Sequence, residues 1–122
     1  MNSEQPTDIQ RLAQVAAEFS ETDVIYEWAQ GSSAPKIASP AAQVASMWRG
    51  TLLRLDIPGV QRDRLIAAVK RGMSRCGCEY AECSIDGGFQ VTVWRSSSPS
   101  DQHTSRDERL DIALLRALAK LI

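Results

Sequence analysis

No apolar run in this chain is longer than Leu65–Val69, far short of the ~18 residues that a membrane-crossing helix requires. Met1 to Gln10 has neither a basic start nor an apolar stretch of the kind that opens a secretion signal, so the sequence reads as that of a cytoplasmic protein. Cysteine is sparse and odd in number, at Cys76, Cys78 and Cys83, which argues against a disulfide framework and for reduced thiols. No glycine-rich phosphate loop is present, because Asp86-Gly87-Gly88 separates two extended runs and does not open a helix. The one histidine, His103, lies in a polar stretch with Ser98 and Asp101. A loop of that kind offers neither a fixed geometry nor a nucleophile-bearing turn. No enzyme and no cofactor are expected.

Cys76, Cys78, Cys83 and His103 make the one conceivable zinc set, but their spacing is wrong. Paired zinc ligands are separated by two to four residues, whereas Cys76-Gly77-Cys78 has one between. If a strand includes Cys78, its pleat turns Cys78 away from Cys83. Small hydrophobic core residues are the plainer reading, and no metal is assigned.

Also missing is a charge of one sign, since the net is −1, but the total hides a segregation. Residues 1–30 carry Arg11 against Glu4, Asp8, Glu18, Glu21, Asp23 and Glu27, a net of −5. Residues 31–75 carry eight bases against Asp56 and Asp63, a net of +6, and the remainder has a net of −2. Either the acidic segment folds against the basic one, or each faces a partner. Arg64, Arg71 and Arg75 form a row that could follow phosphates, yet the pI of 5.8 is low for a nucleic-acid-binding domain.

What is present is periodicity. A length of 122 residues fits a single domain, with an N-terminal helical part at 1–57, a Ser/Gly/Pro-rich linker at 31–39 and a helix-hairpin-helix core at 59–122. Ile9, Leu12, Ala13, Ala16 and Phe19 recur at helical spacing over 8–19, and Ser20 with Asp23 three residues on predicts the cap of a second short helix ending at Gly31. Ser39-Pro40 opens a third helix with the stripe Val44, Met47, Trp48, Thr51, Leu52 and Leu55, ending before Pro58. Leu65, Ile66, Val69, Met73 and Cys76 define a fourth that stops near Gly77.

From Glu79 the period becomes two, and Glu79–Ile85 and Phe89–Arg95 predict a β-hairpin. A three-residue loop Asp86-Gly87-Gly88 would set Ala81, Cys83 and Ile85 opposite Val93, Val91 and Phe89, with Glu79 opposite Arg95 and Tyr80 opposite Trp94 on the reverse face. Ser96–Thr104 reads as a loop, and Ser105 with Glu108 as the capping box of a fifth helix. The fold class is therefore α+β, with five helices around one antiparallel hairpin in the order helix-helix-helix-helix-strand-strand-helix. Burial of the Tyr80 and Trp94 face by the N-terminal helices would give three layers; if left open, that face is a docking patch.

The helix ending Met73-Ser74-Arg75-Cys76-Gly77, the strand ending Val91-Thr92-Val93-Trp94, and Ile112-Ala113-Leu114-Leu115-Arg116-Ala117-Leu118 make residues 65–122 resemble the small phage proteins called ABA-sandwich domains. The resemblance implies a non-enzymatic accessory protein of phage or prophage origin that acts on a host protein, host defence machinery included, and it carries over no site residue. Together these readings predict a protein-interaction module. Its candidate partner-binding residues are Tyr80, Trp94, Arg64, Arg71, Arg75, Tyr26 and Trp28. The alternative is a nucleic-acid-binding regulator using the basic fourth helix.

Overall fold

A computed structural model describes residues 6–30, 40–53 and 59–122. The expected linker at 31–39 and the last residues of the expected third helix lie outside the described residues. Contacts divide the chain into two compact units, Met1–Gly72 and Met73–Ile122, and the division falls inside a helix. The fold is α+β: four helices among the described residues, not five, and an antiparallel sheet of three strands, not two.

In the first unit, one uninterrupted helix α1 (Pro6–Gln30) replaces the two helices expected there. The predicted break at Ser20 fails because Ser20 is fully buried and its hydroxyl donates to the carbonyl of Ala16 one turn back. A serine that satisfies itself within the helix has no need to cap a new one. Ile9, Leu12, Val15, Ala16, Phe19 and Val24 form the buried stripe of α1. Helix α2 (Pro40–Leu53) packs on α1 and buries Val44, Trp48, Thr51 and Leu52 as its periodicity predicts, with Met47 half-buried. Helix α3 (Gly59–Arg75) buries Leu65, Val69 and Met73. It crosses α1 so closely that a Cβ at Gly72 would collide with the Phe19 carbonyl oxygen, which only glycine avoids.

Helix α3 unwinds at Gly77, whose φ of 71° is the left-handed value that ends many helices. Strand β1 (Cys78–Ile85) follows, then β2 (Gly88–Arg95) and β3 (Ser98–Asp107), in the sheet order β1-β2-β3. Helix α4 (Leu110–Leu121) packs on β2 and β3. Its Ile112, Ala113, Leu114, Leu115, Ala117 and Leu118 are buried, as are Val91 and Val93.

Two expectations fail here. All but the first two residues of the stretch read as a loop at 96–104, together with the intended helix cap at Ser105, belong to β3, so that α4 starts at Leu110. The hairpin is also slipped by one residue: its loop is Asp86-Gly87, Tyr80 pairs with Val93, Glu79 with Trp94 and Cys78 with Arg95. Gly87 alone takes a positive φ, at 81°, while Asp86 does not, the φ pattern of a type II turn. A slip of one residue exchanges the faces of a strand. Tyr80, Glu82 and Ser84 therefore share the α4 side of the sheet with Phe89, Val91 and Val93, and Ala81 and Cys83 lie on the reverse side with Trp94, Thr92 and Gln90. Glu79 is not opposite Arg95, and Tyr80 and Trp94 are on opposite faces.

Candidate functional site: the open edge of the sheet

Strand β1 pairs only with β2 among the described residues. A two-residue loop makes Ile85 and Gly88 a hydrogen-bonded pair, and such pairs alternate along an antiparallel ladder. Cys83, Ala81 and Glu79 therefore bond to β2, and the bond from the Ser96 amide to the Gly77 carbonyl, 2.8 Å, continues the series. The amides and carbonyls of Tyr80, Glu82 and Ser84 point the other way, off the sheet edge. Every residue from Glu79 to Ser84 is exposed, Tyr80 by 40%.

The strand has no proline, no lysine and no bulge, and it pairs fully over eight residues; its only charges are Glu79 and Glu82. The opposite edge is different. Strand β3 contains Pro99, and its pairing with β2 is irregular between Val93 and Arg95. Its polar composition is held by cross-strand bonds on the reverse face, Thr92 to Thr104 at 2.8 Å and Arg106 Nε to Gln90 Oε1 at 2.7 Å.

The residues expected to bind partners do not assemble into one site. Trp94 is half-buried, and its indole N–H donates to Glu79 Oε2 at 3.1 Å; Tyr80 is on the other face. Tyr26 is 66% exposed on α1, and the side chain of Trp28 lies outside the described residues. Of the arginine row, Arg71 donates from Nε to Asp23 Oδ2 at 3.1 Å, and Arg64 and Arg75 are exposed with interactions of their own. The Arg71–Asp23 pair joins the acidic segment to the basic one, as the neutralisation reading expects. A groove of about 470 Å³ between α1 and α2 has Ala13, Ala17, Ala42 and Ala45 along it, with Glu18 and Arg49 at its sides.

No chemistry of a catalytic kind comes together among the described residues. His103 faces the α4 side from β3, with Nε2 3.2 Å from Asp101 Oδ1, and no nucleophile is hydrogen-bonded to it among the described residues. No group of three or more potential metal ligands occurs among the described residues. Cys76 and Cys83 are exposed and Cys78 is buried; Cys78 and Cys83, five apart on β1, face opposite sides. Burial pushes the Cys78 thiol above its ordinary value, with Arg95 pulling it down and Cys76 adding to the rise. Among the described residues no helix is long and apolar enough to cross a membrane. No protein-family model, no curated protein and no solved structure matches the chain.

The sequence reading missed the edge itself. It took β1 for half of an isolated hairpin, in which both strands are edges, so nothing set β1 apart. The available signal was the absence of lysine and proline between Glu79 and Ile85, against Pro99 in the segment that proves to be β3.

Proposed function

We propose that this chain is a non-catalytic protein-interaction module that captures an extended segment of another protein as a fourth strand beside β1. The observation that supports this is the eight-residue edge strand β1, exposed from Glu79 to Ser84, with the Ser84 amide and carbonyl facing away from β2. Backbone pairing supplies affinity in such additions, and alternate side chains supply selectivity. Tyr80, a large exposed aromatic on the same strand, is suited to act as the anchor. The resemblance of residues 65–122 to phage ABA-sandwich proteins supports a mobile-element origin and a host protein as the partner. The nucleic-acid reading loses support from the Arg71–Asp23 pair.

Replacing Ser84 by proline removes one outward amide and leaves the ladder to β2 intact, since Ser84 lies at a non-bonded pair. Proteins that the wild-type chain enriches from host lysate are expected to be lost with Ser84→Pro and weakened with Tyr80→Ala, with far-UV circular dichroism unchanged. Equal capture by wild type and Ser84→Pro would sink the edge as the docking surface.

A further inference from the structure

Cys76-Gly77-Cys78 lies at the junction of α3 and β1. Cys76 is exposed and Cys78 is 6% exposed at the first position of the strand. The residue between them has φ 71° and open space around the place where a Cβ would stand. Two virtual bonds of about 3.8 Å with a turn at their centre bring the two Cα atoms within the roughly 4.4–6.8 Å that a disulfide spans. The proximity is also electrostatic, since the charge of Cys76 acts on Cys78. No other pairing within the chain is open to Cys78. Cys83, five residues along a strand, is roughly 16 Å away at about 3.3 Å per residue and on the opposite face, where a disulfide fails beyond about 7 Å.

The surroundings divide the labour between the two sulfurs. Cys76, open to solvent and next to Arg75 in sequence, is the sulfur that an incoming disulfide can reach. Cys78, paired with Arg95 across the ladder and held as a thiol by burial, is placed to act second. The Gly77 carbonyl is tied to the Ser96 amide, so the turn between the sulfurs is pinned to the sheet.

We propose that Cys76 and Cys78 form a thiol–disulfide exchange site that takes low-molecular-weight disulfides, Cys76 attacking and Cys78 resolving. The Cys76 thiolate attacks one sulfur of the disulfide, whose S–S bond breaks; one thiolate departs and a mixed disulfide is left on Cys76. Cys78 then gives up its proton, and its sulfur attacks the Cys76 sulfur and expels the second thiol. Two protein thiols are oxidised, one disulfide is reduced to two thiols, and the two protons leave with them. This site is independent of peptide docking at the β1 edge.

The test uses the full chain carrying Cys83→Ser, equilibrated with mixtures of reduced and oxidised glutathione and read by intact mass. The expected product is a species two hydrogens lighter than the reduced chain. In the Cys78→Ala variant a glutathione adduct should accumulate on Cys76, to a level at least about ten times that in the Cys76–Cys78 chain, because nothing resolves it. Cys76→Ser should remain unmodified while folded. The proposal is overturned if the chain holding both cysteines accumulates the adduct as readily as Cys78→Ala, or stays fully reduced across the whole series. If Cys78→Ala fails to fold, the chain holding both cysteines decides alone: a persistent glutathione adduct in place of the species two hydrogens lighter, or a chain that stays fully reduced, overturns the proposal.

Discussion

Ser20 works in two directions at once: its hydroxyl donates to the Ala16 carbonyl and accepts the Trp48 indole N–H at 2.7 Å, with both residues buried. This bond spans the α1–α2 contact and fixes how far along α1 the tryptophan ring lies. Ser20→Ala leaves the indole N–H buried with no acceptor, which costs about 1–3 kcal/mol. The expected result in urea unfolding is a loss of that size, and a clearly smaller loss when the same change is made in a Trp48→Phe background. Equal losses in the two backgrounds would mean that the bond contributes nothing. Cys78 gives a second handle. Burial holds its thiol above the ordinary value, so the native chain keeps a proton that the unfolded chain releases. That contribution is complete below the unfolded thiol value and fades as pH rises through the raised native one. Stability should therefore fall over this alkaline window, and the slope should be shallower in Cys78→Ala, as read from urea midpoints at stepped pH.

At the scale of the elements, helix α4 depends on charges that the sequence does not advertise. Arg109 donates to both carboxylate oxygens of Asp111, from Nε at 3.0 Å, and the Ile112 amide also bonds to Asp111. Asp111 is 1% exposed and Arg109 14%. Asp107, at the end of β3, accepts the Arg109 amide at 2.9 Å and Arg116 Nη1 at 3.1 Å. Asp111→Ala removes the acceptor of the Arg109 bonds and of the Ile112 amide and should cost about 1–3 kcal/mol by chemical denaturation, well beyond the effect of Asp101→Ala on the exposed part of β3. The helical stripes of α2, α3 and α4 were legible because each buries one face, and burial forces periodicity on a sequence. Strand β3 was not legible, because its inward residues His103, Ser105 and Asp107 are polar and half-buried. It is held by its ladder, by Arg116 on Asp107 and by Lys120 on the Thr104 carbonyl. The register of β1 was misread for a related reason: α4 covers β2 and β3, so the alternation of Ala81, Cys83 and Ile85 answers to no helix and fixes no face. With that constraint gone, the turn at Asp86-Gly87 and the buried Cys78 decide the pairing. The α1 break was misread because Ser20 has the chemistry of a cap and the burial of a core residue.

For the whole molecule, segregated charge has to be weighed against the use made of it. The net +6 of residues 31–75 would draw polyanions only if its arginines were uncommitted, and Arg71 already holds Asp23 while Arg64 and Arg75 have interactions of their own. An exposed pair such as Arg71–Asp23, with 52% and 22% of its side chains accessible, is worth about 0–1 kcal/mol, too little to lock the row away by itself. Three arginines would in turn release few counterions, and so few phosphate contacts lose most of their affinity as salt rises. The segments 1–30 and 76–122 add repulsion, with nets of −5 and −2. At physiological ionic strength, where charges more than about 8 Å apart are largely screened, micromolar protein should leave duplex DNA and single-stranded RNA unretarded in a native gel. Asp23→Asn, which releases Arg71, should produce at most a weak shift at low salt. A wild-type shift that survives physiological salt and disappears in the Arg64→Ala, Arg71→Ala, Arg75→Ala triple variant would restore the nucleic-acid reading and displace the sheet edge as the working surface.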